Sequence, residues 1–270
     1  MHPVKNASTS RAAALAAFAA LGLCAALVST AALAELSNDI LIGPGLRSRP
    51  AYDGAASQHT EVVPVIRYFG PWVFVRSTQG VLEGGLRIKL TSGLHAAVQA
   101  AYEGGRRASE SDFLARHAVA DIQRGASLGL QVEWDHSLGP MPLTLLVRAR
   151  QHTDADQGAQ VDLRLSAGLF KSGPLSGGMY VQAIWANAKS MGAQYGITAQ
   201  QSSVTGLPPF GAGSGWLAAS VGLLGSLDLS PQWVVVGSLE ARRLRGDAAS
   251  SPLVERRSNH FLNAGLAYRF

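Results

Sequence analysis

Leu262-Asn263-Ala264-Gly265-Leu266-Ala267-Tyr268-Arg269-Phe270 is the stretch that decides the fold. Leu262, Ala264, Leu266, Tyr268 and Phe270 fall on one face of a strand. Asn263, Gly265, Ala267 and Arg269 fall on the other. One face is apolar with aromatics towards its end; the other is small or polar. Lipid outside and water inside demand that pattern. Leu266, Tyr268 and Phe270 are therefore expected to form the signal read by a barrel assembly machine.

The opposite end of the chain points the same way. Lys5 and Arg11 precede an apolar run from Ala12 to Leu27. Ala32-Leu33-Ala34 then supplies a small-x-small cleavage site, with Ala32 and Ala34 as its small residues. The expectation is a cleaved secretory leader over 1–34 and a single barrel domain over 35–270. A membrane anchor is the alternative, but the run is Ala-rich and broken by Gly22. Cys24 is the only cysteine. Leu23 before it does not suit a lipoprotein site, so the exported chain would have no thiol chemistry.

Charged residues make up 15% of the chain, and there are 30 glycines. Soluble domains carry about 25% charge. The formal charge is +5, with basic residues scattered rather than clustered, which excludes a nucleic-acid-binding composition. No stretch beyond residue 34 is apolar enough to span a bilayer as a helix. An exported, charge-poor chain of this kind is either a periplasmic all-β protein or a closed outer-membrane barrel.

Alternation favours the barrel. Leu128, Leu130, Val132 and Trp134 oppose Gly129, Gln131, Glu133 and Asp135. Leu143, Leu145, Val147 and Ala149 oppose Thr144, Leu146, Arg148 and Arg150. Val161, Leu163 and Leu165 oppose Asp162, Arg164 and Ser166. A helical period would mix these sets on every face. Short Gly/Pro/Ser turns alternate with longer polar loops, as in an up-and-down barrel. The pattern predicts an all-β transmembrane antiparallel barrel of twelve strands. Ten is the alternative, because Thr78 to Gly80 is too short for a typical outer loop.

Parity also predicts which charges face the lumen. They are Glu83, Arg87, Lys89, Glu133, Asp135, Arg148, Arg150, Asp162, Arg164, Glu240 and Arg242. Balanced charges there would form either a salt-bridged plug or a narrow aqueous pore. No histidine pair has metal-ligand spacing, so neither metal nor cofactor is expected. Glu110, Asp112 and His117, or His152, Asp154 and Asp156, could imitate a barrel hydrolase. No nucleophile motif accompanies them, so solvated loops are the simpler reading. Arg245-Gly246-Asp247 reads as a structural turn.

Several motifs in order resemble one family. Gly43-x-Gly45, Pro50-x-Tyr52-x-Gly54 and Val62-Val63-Pro64 come first. Tyr195-Gly196-Ile197-Thr198, Gln200-Gln201-Ser202, Gly206-Leu207-Pro208 and Phe210 follow. Leu229-Ser230-Pro231-Gln232-Trp233 and the run from Leu244 to Val254 come next, before Gly265 to Phe270. The chain resembles the MipA/OmpV (MltA-interacting protein) group of outer-membrane proteins. The resemblance implies a barrel without catalytic residues. It also implies a scaffold joining a lytic transglycosylase to a murein synthase. A small-solute channel in the outer-membrane lipid is the alternative.

Overall fold

The computed structural model describes residues 40–270. The leader and its cleavage site at Ala32 and Ala34 lie outside the described residues. The strands are β1 (Leu41–Pro50), β2 (Gln58–Phe69), β3 (Val73–Thr78), β4 (Val81–Thr91), β5 (Leu94–Glu103) and β6 (Gly125–Leu138). They continue as β7 (Met141–His152), β8 (Ala159–Ser172), β9 (Leu175–Ala186), β10 (Gly215–Asp228), β11 (Trp233–Leu244) and β12 (Ser258–Arg269). Each is antiparallel to its sequence neighbour, and β1 pairs with β12 to close the barrel. The count is twelve, and β3 and β4 are separate strands.

Three turns at one end show why the strands reverse so tightly. Ser92-Gly93, Gly139-Pro140 and Gly173-Pro174 each join two strands with two residues. Each contains a glycine with positive φ, at 77°, 61° and 55°. Two-residue hairpins need that left-handed backbone, which a Cβ disfavours. The long loops gather at the other end, at 51–57, 104–124, 153–158, 187–214 and 245–257. Short turns mark the periplasmic end and long loops the outer end.

The outer wall is apolar. Leu128, Leu130, Val132, Leu163, Leu165, Val221, Leu223, Leu239, Leu262 and Leu266 are all exposed on it. In water such a belt would be a large unpartnered patch; in lipid it is buried. Aromatics edge the belt at both ends. Trp134, Trp233 and Tyr268 sit towards the short turns. Trp185 and Trp216 lie opposite each other near the long loops. Inward positions are small or polar, apart from a few apolar residues such as Leu146 and Val234, which are buried.

Closure at the β1–β12 seam depends on close backbone approach. The pairing runs Ile42↔Tyr268 and then resumes at Gly45↔Gly265. Pro44 has no N–H to give to the ladder. At Gly43 a Cβ would run into the carbonyl of Leu266 and the Cα of Ala267. Gly43→Val should therefore hold the seam open, a steric penalty of about 1–3 kcal/mol or more. The expected outcome is a lower fraction of heat-modifiable, compact protein on an unboiled gel. Gly211→Ala, in open space on a long loop and without a positive φ, should change that fraction far less.

Candidate functional site

Two strand pairs set the charged layer across the lumen. The register places Arg76 opposite Glu83 on β3 and β4, and Arg148 opposite Asp162 on β7 and β8. Cross-strand neighbours of opposite charge attract. The barrel's curvature then brings both pairs together. Glu83 accepts from Arg76 Nε on one side and Arg148 Nη1 on the other. Arg148 also reaches Asp162 at 2.8 Å, and Arg150 bridges Asp162 at 3.1 Å and Glu103 at 3.0 Å. Arg76 extends the layer to Gln131 at 3.0 Å and Glu133 at 3.3 Å. Glu83 is 1% exposed and Asp162 0%. Charges so deeply placed are tolerable only because each has opposite charge and hydrogen bonds around it.

The β3–β4 turn supplies a second bar across the lumen. It is only Gln79-Gly80, both with positive φ. Gly80 suits this turn because its φ of 79° disfavours a Cβ, which would also press on the Arg47 guanidinium. The turn directs Gln79 inward. Its Nε2 donates to Glu240 Oε2 at 2.7 Å, with Gln182 Oε1 and Tyr180 Oη both at 3.3 Å. Those acceptors stand on β9 and β11. Tyr180 donates to the same Glu240 oxygen at 2.8 Å, and Arg242 holds Glu240 at 3.0 Å and Asp53 at 2.7 Å. Arg164 lies over the Tyr180 ring, 3.7 Å from its centroid. The tip separates an outer chamber of about 380 Å³ from an inner one of about 440 Å³, and Thr78, Gln79 and Gly80 line both.

Loops pack over the outer end around an apolar centre. Tyr52, Leu114, Ile197 and Leu253 form one cluster; Met191, Tyr195, Leu217 and Leu244 form another. Tyr52 donates to Leu253 O at 2.8 Å, Ser251 to Tyr195 O at 2.6 Å, and Arg106 to Gln194 O at 2.7 Å. Burial and the nearby Glu255 carboxylate push the Tyr52 phenol up. Complete burial raises Tyr195 further. Both phenols stay neutral; Tyr52 donates a hydrogen bond, whereas the Tyr195 hydroxyl is buried without a partner among the described residues.

The sequence-derived charges separate into three groups. Glu83, Glu133, Arg148, Arg150 and Asp162 join the central layer, while Glu240, Arg242 and Arg164 join the Gln79 bar. Arg87 stands apart over Phe69, 5.2 Å from the ring centroid. Lys89 and Asp135 are exposed towards the periplasmic end, where Asp135 accepts from Thr144 Oγ1 at 2.8 Å. Tyr268 meets Trp233 edge-on at 5.3 Å and Phe270 at 4.9 Å, and Leu266 is exposed beside them.

Arg76, Glu103, Gln79 and Tyr180 are central here but absent from the sequence-derived set. Arg76 and Glu103 share inward parity with residues that are in that set. Gln79 had one signal, the unusual shortness of its turn. The loop acids and histidines do not converge. Glu110 binds Arg49 at 3.1 Å, His117 Nδ1 lies 2.9 Å from Thr205 O, and Asp154 caps its own turn through Asp156 N. Asp247 accepts from Gly213 N at 2.8 Å, a structural tie between two loops. No group of three or more metal-ligating side chains occurs among the described residues.

Glu83→Ala should leave Arg76 and Arg148 facing each other without their shared anion. Breaking a buried ion network this way costs about 3–5 kcal/mol. A urea titration in detergent should show a clearly lower unfolding midpoint. Lys89→Ala, at an exposed position, should leave the midpoint close to wild type.

Several solved outer-membrane structures align with this chain at low identity. OmpT, an outer membrane protein of Vibrio cholerae, aligns with a TM-score of 0.38 and 9% identity, covering 79% of this chain and 65% of that one. The NanC porin aligns at 0.48 and 9% identity, over 86% of this chain and 100% of that one. LpxR from Salmonella typhimurium aligns at 0.45 and 9% identity, over 84% and 100%. This chain thus spans about two thirds of OmpT and the whole of the other two. A comparison with curated protein sequences finds no match. The family described as MltA-interacting protein MipA matches residues 42–270, from the second residue of β1 to the end of the barrel. The chain is an outer-membrane β-barrel protein and belongs to the MipA family.

Proposed function

We propose that this protein is a non-enzymatic scaffold of the outer membrane. Its periplasmic end would hold a lytic transglycosylase of the MltA kind beside a murein synthase. The observation that carries this reading is the Gln79 bar, which ties β3–β4 to β9 and β11 across the lumen. Together with the Glu83–Arg148–Asp162 layer, it opposes free passage of solute. The family description supplies the partner class. Glu110 is held by Arg49 and His117 lies against Thr205 O, which supports a non-catalytic role for them. The barrel domain proposed is 35–270, following leader cleavage after Ala34. The outward Leu266, Tyr268 and Phe270 suit recognition by the assembly machinery.

One observation favours a channel as second reading. The two chambers are separated at the tip by a two-residue turn, so release of Gln79 would widen the path between them. Two measurements decide between the readings. Under the scaffold reading, the refolded wild type shows no discrete conductance steps in a planar bilayer. Crosslinking in intact cells then recovers a lytic transglycosylase with it. Stable openings whose ion selectivity shifts on Arg148→Glu, with no murein enzyme recovered, would replace the scaffold by the channel.

A further inference from the structure

The wall of the barrel has a notch. β3 is 6 residues long and β2 is 12. Only Arg67, Tyr68 and Phe69 of β2 pair with β3. Above them, among the described residues, no strand lies beside β2 on that side. The N–H of Ile66 donates to Ser77 Oγ at 3.0 Å, so it points towards β3. Backbone groups alternate along a strand, and the β1–β2 register is unbroken. Pro64, Val62, Thr60 and Gln58 therefore face the notch too. Pro64 has no N–H to leave open, which is how proline is accommodated on a sheet edge. The other three have. Unpaired amides are not tolerated against hydrocarbon, but they are where backbone lines a polar cavity.

The notch leads into the outer chamber. The chamber lining passes from Glu61 on β2, across Gly80 and Val81, to Tyr102 on β5. Tyr102 is 55% exposed on the outer wall, so chamber and outer surface meet there. Val62, 76% exposed, flanks the other side. The chamber therefore faces sideways into the outer leaflet.

Its charge is not balanced. Arg49, Arg150 and Arg242 each bind carboxylates within the chamber. Arg106, Arg107 and Arg124 also line it, and among the described residues none of the three is in an ion pair. Arg106 is 9% exposed, and its Nε is buried without a hydrogen-bond partner. Burial holds its pKa below the ordinary arginine value. A buried cation with a spare donor favours an incoming anion.

We propose that the outer chamber binds the phosphorylated head of an acylated lipid from the surrounding leaflet. The head enters sideways through the notch between β2 and β5. The acyl chains stay outside, against Val62, Leu82 and Tyr102. Guanidinium groups match phosphate oxygens in geometry as well as charge. The free amides of Val62 and Thr60 add donors at the threshold. A chamber of about 380 Å³ is of a size for a head group, with the chains left in the bilayer.

The test is native mass spectrometry on the full protein purified from outer membranes into neutral detergent. Lipid A, an uncharged diacylglycerol and inorganic phosphate serve as separate probes. The expected result is one retained lipid A and no retained diacylglycerol. Arg106→Gln should weaken retention by ~10-fold, the size of one charge-assisted contact. The exposed pair Arg107→Gln/Arg124→Gln keeps the test valid should Arg106→Gln misfold, and should weaken it at least as much. Lys171→Gln, lining the inner chamber, should not change it. Equal retention of diacylglycerol, or undiminished lipid A binding in folded arginine variants, would overturn the proposal. Inorganic phosphate held as tightly as lipid A would overturn the lipid and leave a site for free anions.

Discussion

A sheet standing in hydrocarbon cannot keep an open edge, and the β1–β12 seam removes it. Every other pairing in the barrel joins sequence neighbours through a turn. This one joins the first strand to the last, and it is made possible by the lack of a side chain at Gly43. Once closed, the sheet fixes two surfaces at once. The outer face must be apolar, and the inner face must hold whatever polar groups the alternation sends there.

The inner face then has its own constraint. Arginines and carboxylates packed into a narrow lumen are stable only if each finds partners. Here they find them across the lumen as well as along it. Glu83 gathers arginines from β3 and β7, and Glu240 gathers Gln79, Tyr180 and Arg242 from three different parts of the wall. The same device brings about a trade. A β3–β4 hairpin short enough for Gln79 to reach Glu240 is too short to cover the upper half of β2. The bar across the lumen and the notch in the wall are two consequences of one short turn.

The outer loops complete the arrangement. They pack on tyrosine, leucine and methionine side chains rather than lying in solvent. Arg49 on β1 reaches Glu110 of the 104–124 loop, so this loop is anchored across the mouth. Of the histidines and acids that look like candidate catalysts in one dimension, Glu110 and His117 take part in this loop arrangement. Glu110 and His117 are held by partners far away in sequence, while His152 and Asp154 accept hydrogen bonds from their own turn.

The sequence by itself determined most of the strands and the alternation along each, and left their number at twelve or ten until β3 and β4 proved separate. A period of two is rigid, so parity at one residue fixes it along the strand. Trp134 must face out if Glu133 faces in. It also carried the family motifs that span the barrel. Only the tertiary structure decided which charge meets which. Contacts between Glu83 and Arg148, or Gln79 and Glu240, lie 65 and 161 residues apart and cross the lumen. They depend on the stagger of all twelve strands together, and stagger is not written in any one of them. The notch beside β2 has the same origin. Its only trace in the sequence is a turn with too few residues, which becomes an opening once the longer strand beside it is in place.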